Sequence, residues 1–291
     1  MDASIIIVSY NTADFLENCL ESLRWTKGAT KEIFVVDNAS TDNSVQMVEN
    51  CFPEVKLIAN KQNRGFSAAN NQALKFCTGR YVIFLNPDTK IRPDALQKSV
   101  AFMDMHKKVG LAGAKILNPD GTIQDSISYR YPGERFTSGE ASGLPGKIAC
   151  VLGAFMIART DLLREIGGFD EDFFLYGEDQ DLAWRIREKK FEIGYIEDAE
   201  VFHWGGQSEI STPEPEIFEK KLKAEYLFYE KHYRPQTIAR LRRAHRLKAF
   251  YRLFTLALTS PFALDRKTHD CKIHCYRLVL DIARPPKTGL S

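Results

Sequence analysis

"IFLNPDTKI", residues 83–91, carries three apolar residues straight into Asn86, Pro87 and Asp88. A run that reads as the buried end of a strand thus stops on an amide, a proline and a carboxylate. These are turn formers, and alone they fit an ordinary strand exit. Their neighbours along the chain give the stretch its meaning.

Five short apolar runs punctuate the first 115 residues: "SIIIV" (4–8), "EIFVV" (32–36), "VKLIA" (55–59), "YVIFL" (81–85) and "VGLAGA" (109–114). Amphipathic stretches such as "TADFLENCLESLRW" and "FSAANNQALKFC" lie between them. Strands and helices alternating at this spacing predict an α/β fold with a mostly parallel sheet covered on both faces. In open sheets of this kind ligands bind beyond the carboxyl ends of the strands. There the sequence places Ser9-Tyr10-Asn11, then Asp37-Asn38 ahead of Ser40 and Asp42, then Asn63-Arg64-Gly65, then Asn86-Pro87-Asp88. Four polar clusters are expected on one edge.

Further along, "ILNPDGTIQ" reads as a hairpin and "RYPGERFTSGEASGLPG" as a mobile loop. "IACVLGAFMIA" resumes as strand and "RTDLLREIGG" as a short helix ending at its glycines. "EDQDLAWRIREKK" reads as another helix, "FEIGYI" as a strand, and the chain from Pro213 as mainly helical. No internal repeat is visible.

The chain has 291 residues and a formal charge of +2, which hides an uneven distribution. From Lys220 onward there are 17 Lys and Arg against 5 Asp and Glu, so an acidic body is followed by a basic tail. No apolar run reaches the roughly 20 residues that span a bilayer. The N-terminus enters a strand at once, without the basic flank and cleavage site of an export signal, so a cytoplasmic setting is expected. Six cysteines lack the spacing of a disulfide framework. "HDCKIHC" (269–275) packs its His and Cys too closely for the paired spacing of a zinc site.

The first strand is followed by "SYNTADF", not by a dinucleotide-binding G-x-G-x-x-G, and a P-loop is also missing. A bound nucleoside diphosphate would need another source of positive charge, and a divalent cation held by carboxylate supplies it.

"VSYN", "VVDNASTDNS", "NRGFSAANNQAL", "FLNPD", "GAFMIAR" and "FFLYGEDQDLAWR" stand in the order found in inverting glycosyltransferases of family 2. The chain resembles that family, and bacterial rhamnosyltransferases in particular, over about residues 3–230. The resemblance implies a GT-A fold: a mixed, mostly parallel sheet flanked by helices, with the C-terminal helices as an extension. The expected division is a transferase domain at 1–230 and a basic helical extension at 231–291.

Carried over by position, the resemblance implies that Tyr10 flanks a nucleobase, between Ser9 and Asn11, and that Asp37, beside Asn38, accepts its ring N–H. Arg64, ahead of Gly65, would approach base or diphosphate, with Asn70 nearby. Asp88 would hold Mn2+ or Mg2+ against the diphosphate and Asp179, preceded by Glu178, would be the base. Many relatives carry Asp-x-Asp where this chain has Asn86-Pro87-Asp88. One lost carboxylate implies weaker cation binding, with Asn86 at best lending a neutral oxygen and His203 of "VFHWGG" a further ligand.

The expected donor is a dTDP- or UDP-sugar, with dTDP-rhamnose as the candidate named by the resemblance. The expected acceptor is a glycan or lipid-linked saccharide of cell-surface polysaccharide synthesis. The basic, aromatic tail fits peripheral attachment to an anionic membrane surface, and no nucleic-acid recognition motif accompanies its charge. A processive synthase should carry several membrane spans and a Q-x-x-R-W motif, and a sugar nucleotidyltransferase a glycine-rich loop after its first strand. A non-catalytic nucleotide-sugar-binding protein remains the alternative from another class.

Overall fold

The computed structural model describes residues 1–207, 212–262 and 264–284. The chain divides into two compact units: residues 1–131 with 143–210, and residues 132–142 with 211–291.

The first unit is built on an eight-stranded mixed sheet. β1 (Ala3–Ser9), β2 (Lys31–Asp37), β3 (Lys56–Ala59) and β4 (Tyr81–Leu85) correspond to the first four runs. β1 lies between β2 and β4, and β3 pairs outside β2, all parallel. Every residue of β1 is buried, with Ile5 and Ile7 in one apolar layer and Ile6 and Val8 in the other. That two-sided burial is why the strands read as continuous apolar runs. α1 (Ala13–Arg24), α2 (Ser44–Cys51) and α4 (Ala95–Met105) contribute to the layer that includes Ile5, and α3 (Phe66–Leu74) to the other.

The fifth run does not continue the parallel series. β6 (Val109–Leu117) is separated from β4 by β9 (Phe155–Arg159), which is antiparallel to both. β10 (Glu192–His203) is parallel to β6, and the short β5 (Thr89–Ile91) closes the edge antiparallel to β10. The carboxyl ends of β1, β2, β3, β4, β6 and β10 therefore share one edge, as does the amino end of β9.

"IACVLGAFMIA" is two strands, not one. β8 (Cys150–Val151) pairs with β7 (Ile127–Ser128) in a separate ribbon, and the chain turns at 152–154 before entering β9. A bridge between Leu117 and Ile123 closes the expected hairpin at "NPDG". α5 (Thr160–Ile166) ends at Gly167, whose φ of 80° is the left-handed cap that glycine permits. α6 (Glu178–Glu188) is tied back to that end by Arg185, which donates to the carbonyls of Ile166 and Gly168 and pairs with buried Asp181 at 2.7 Å.

The second unit holds α7 (Glu214–His232), α8 (Pro235–Thr259) and α9 (Arg266–Ile282). Part of the expected mobile loop is fixed here. Tyr233 donates its hydroxyl to the Pro132 carbonyl at 2.7 Å, and Thr237 and Arg240 bond Glu140 and Ser138. Glycine, proline and serine give this segment its loop composition, but side chains from the helices satisfy it. Among the described residues no helix is long and apolar enough to cross a membrane.

Candidate active site

After β4 the backbone N–H of Asn86 bonds the Ala154 carbonyl at 3.0 Å, while the Asn86 carbonyl accepts the Thr89 hydroxyl at 2.7 Å. This turn feeds β5, whose Thr89 pairs in register with His203. Asp88 is buried, and its carbonyl accepts the N–H of Trp204 at 3.0 Å. The strand stops at Asn-Pro-Asp because the turn must deliver Asp88 beside the end of β10.

There the His203 Nε2 lies 3.4 Å from Asp88 Oδ1 and has no hydrogen-bond partner. The other ring nitrogen, Nδ1, stands 2.9 Å from Gln124 Oε1. An amide oxygen there favours the proton on Nδ1, which turns the Nε2 lone pair toward a carboxylate. Two acceptors facing each other in a buried place repel. A cation between them removes the repulsion, so the residues fit a divalent metal with two protein ligands and other positions left to phosphate or water. Among the described residues no cluster of three His, Cys, Asp or Glu is arranged as a complete metal cage.

At the ends of β1 and β2, Asp37 accepts the Ser40 N–H on Oδ2 at 3.0 Å, while Oδ1 is buried and unpaired. The loop around it is braced by Asn11, which accepts the Thr41 N–H at 2.7 Å and donates its own N–H to Ser40. Asn11 and Ala39 both adopt positive φ, at 53° and 68°, which is costly for a residue with a Cβ and needs surrounding structure to hold it. Tyr10 is 38 % exposed, at the rim, and the buried Ser9 hydroxyl is 3.0 Å from that of Thr12.

Asn38 has a different place. It donates to Asn63 and the Gly65 carbonyl, and its Oδ1 accepts from Asn60 and from the Arg64 backbone. Its amide is consumed in shaping the 60–65 loop. Asn70 is buried on α3 and donates to the Phe66 carbonyl at 2.9 Å. Arg64 is exposed, with no acid paired to its guanidinium among the described residues. Gly65 has φ 82°, and a Cβ there would fall 2.7 Å from the Phe174 carbonyl oxygen. That carbonyl also accepts the Phe66 N–H, so the start of α3 is locked to the segment ahead of α6.

α6 begins after Tyr176 and Gly177, both with positive φ (71° and 80°). Asp179 accepts the N–H of Gln180 at 2.8 Å, and its Oδ2 is 3.9 Å from where a side chain at Gly153 would begin. Since Ala154 bonds Asn86, Asp179 stands one residue's reach from the Asn-Pro-Asp turn. Burial raises the Asp179 carboxyl above its ordinary value, although helix-start N–H groups pull it down. Burial, reinforced by the charge of Asp179, pushes Glu178 up to about 8, and its Oε2 has no partner. Glu178 is buried, whereas Asp179 is half-buried.

This has a measurable consequence for stability. Between the ordinary carboxyl value of 4.5 and about 8 the folded chain holds a proton at Glu178 that the unfolded chain has lost, so stability falls as pH rises through that window. Glu178→Gln removes its share of the dependence and leaves that of the raised Asp179. Thermal melts across that range are expected to show a declining midpoint for the native chain and a flatter profile for the variant.

Buried polar atoms without partners are few in folded proteins. Three of those among the described residues, Asp37 Oδ1, Glu178 Oε2 and His203 Nε2, belong to residues the sequence singled out. Gln124 was not legible: it sits 79 positions from His203, in a hairpin that carries no motif.

Comparison with known proteins agrees with this architecture. The family model for glycosyl transferase family 2 matches residues 4–167. The chain is 25 % identical over 231 residues to the N-acetylglucosaminyl-diphospho-decaprenol L-rhamnosyltransferase of Mycobacterium tuberculosis, covering 68 % of this chain and 75 % of that one. It is 32 % identical over 130 residues to a putative teichuronic acid biosynthesis glycosyltransferase, TuaG, of Bacillus subtilis, covering 43 % and 52 %. Among solved structures, the mannosyltransferase PcManGT of Pyrobaculum calidifontis, in complex with GDP-Man and Mn2+, aligns with a TM-score of 0.63 at 17 % identity, covering 97 % of this chain and 85 % of that one. S. aureus TarS aligns with a TM-score of 0.56 at 23 % identity, covering 78 % of this chain but only 39 % of the TarS chain. With the sheet order, the ordered motifs and a family match over more than half its length, the chain belongs to glycosyl transferase family 2 and has the GT-A fold.

Proposed function

We propose that the protein is a metal-dependent inverting glycosyltransferase that moves a hexose from a pyrimidine nucleotide-sugar to a glycan or lipid-linked acceptor in cell-surface polysaccharide synthesis. The observation that carries this reading is the buried, unpaired Asp37 Oδ1 on the same sheet edge as the Asp88–His203 pair and Asp179. Asp37 accepts the ring N–H of uracil or thymine, which cytosine lacks at that position, and Tyr10 covers the base. Arg64 supplies positive charge toward the diphosphate. Asn11 and Asn38 act by holding the loops that carry these groups, and Gly65 and Asn70 by setting the start of α3.

Inversion needs attack on the anomeric carbon from the face opposite the leaving group. Asp179 takes the proton of the acceptor hydroxyl as the new C–O bond forms, and the bond to the diphosphate oxygen breaks with its electron pair leaving on the nucleotide. Asp88 and His203 are the residues that would hold Mn2+ or Mg2+. The cation, when bound, neutralises charge developing on the departing diphosphate. Glu178, protonated and buried, keeps a second negative charge away from the base.

The relatives' printed names support a role in surface glycans, and the rhamnosyltransferase among them makes dTDP-rhamnose the first donor to try. UDP-glucose and UDP-N-acetylglucosamine are the comparators. Thermal stabilisation by each donor with and without Mn2+ tests the reading: a metal-dependent rise for a pyrimidine nucleotide-sugar supports it. A rise with donor but no release of nucleoside diphosphate over time would favour a binding protein without catalysis.

Gln124→Leu offers an independent check on the metal ligands. Losing the amide that fixes the His203 tautomer is expected to weaken Mn2+ binding in the presence of UDP by roughly tenfold or more. Calorimetric titration of the metal reads this directly, and unchanged affinity would remove His203 from the ligand set.

A further inference from the structure

α8 runs for 25 residues with Arg240, Arg242, Arg243, Arg246, Lys248 and Arg252 and no acidic side chain. Leu241 is buried, but five of the helix's large apolar residues are on the wrong side for a packed helix. Leu247, Phe250, Tyr251, Phe254 and Leu258 are 53–65 % exposed, whereas Ala249 is fully buried. At 3.6 residues per turn those five fall in one sector about 100° wide, turned away from Ala249. α9 returns along the buried side, where a His269 ring nitrogen lies 3.1 Å from the Leu256 carbonyl. Past the end of α8, Leu264 is wholly exposed.

The basic residues frame this stripe. On the same helical projection Arg243 extends it one turn toward the N-terminus, Lys248 flanks one side and Arg246 the other. Toward its start the stripe opens into a groove of 560 Å3, where Arg243 and Arg246 stand beside Ile238, Leu247 and Phe250, and Arg242 is paired with Glu230 at 2.7 Å. The Arg246 Nε is buried without a partner among the described residues. Cationic nitrogen beside aliphatic and aromatic carbon suits a ligand with an anionic head and an apolar body.

We propose that this face of α8 docks on an anionic lipid bilayer, with the five apolar side chains entering the headgroup–acyl boundary and the arginines and lysine meeting lipid phosphates. The helix lies in the plane of the surface. A second copy of this chain is a poorer occupant, because a two-fold contact would set the basic residues of one α8 against those of the other. The proposal extends the lipid-linked acceptor of the preceding section, but it rests on the second unit and is testable without the donor site.

The test is flotation of the full chain with vesicles of phosphatidylcholine, with and without phosphatidylglycerol, at low and high salt. Recovery with the anionic vesicles alone, weakened by salt, is expected. Phe254→Asp with Leu258→Asp should lower the bound fraction by about tenfold or more. Arg243→Glu with Lys248→Glu should remove the preference for phosphatidylglycerol. Both pairs lie on the exposed face, and unchanged melting and metal-dependent donor stabilisation in solution keep loss of docking distinct from misfolding or from failure of the donor site. Equal recovery of native chain and variants overturns the proposal, as does a dimer by light scattering that the Phe254 and Leu258 changes dissolve.

Discussion

Asp179→Asn is expected to abolish transfer while leaving the donor bound. A general base contributes on the order of 10²–10⁴-fold, and the asparagine amide cannot take a proton, so kcat should fall by about 10³-fold or more. The substitution is nearly isosteric and keeps an oxygen for the Gln180 N–H, so α6 should start as before. Asp179 acts on the acceptor hydroxyl in the transition state, and affinity for the nucleotide-sugar should therefore barely change. Single-turnover release of nucleoside diphosphate, with donor affinity measured alongside, checks both halves. Native turnover in this variant would move the base elsewhere. The raised carboxyl adds a pH signature: with Asp179 needed as the anion, kcat/KM should rise with pH through a value above the ordinary carboxylate range, in a step shared with Glu178.

Asp88→Asn should do the reverse. It removes the one carboxylate at the proposed cation site, so donor affinity measured with Mn2+ should fall by roughly a hundredfold, and millimolar metal should restore part of it. Donor affinity measured with chelator present should be nearly the same for both proteins. Because Asn86 already occupies the place where many relatives have a second Asp, the variant has no acid in the turn to compensate. If donor binds the native chain equally well with chelator, the cation role of Asp88 is excluded.

The two substitutions address residues of very different legibility. Asp88 was visible because a fully buried strand announces its own end: nothing but apolar and aromatic residues until a turn. Asp179 was visible only by resemblance. Read from local sequence it is one of three acids in the first turn of a helix, which is where the helix dipole favours them in any protein. Burial outweighs that dipole, and burial is a property of the surroundings. Asn38 shows the converse. It stands in a cluster that reads as ligand-binding, yet four hydrogen bonds commit its amide to the 60–65 loop.

By itself the sequence determined the parallel half of the sheet, the edge on which polar groups gather and the basic character of the C-terminal helices. Each of these follows from patterns a few residues to a few turns long, where side-chain burial repeats with the period of the element. Only the tertiary structure decided that β9 enters antiparallel between β4 and β6, that Gln124 reaches His203, and that the apolar stripe of α8 faces outward. Strand order, a hydrogen bond across 79 residues and the choice of which helical face is covered depend on what packs against what, and no local pattern encodes a partner.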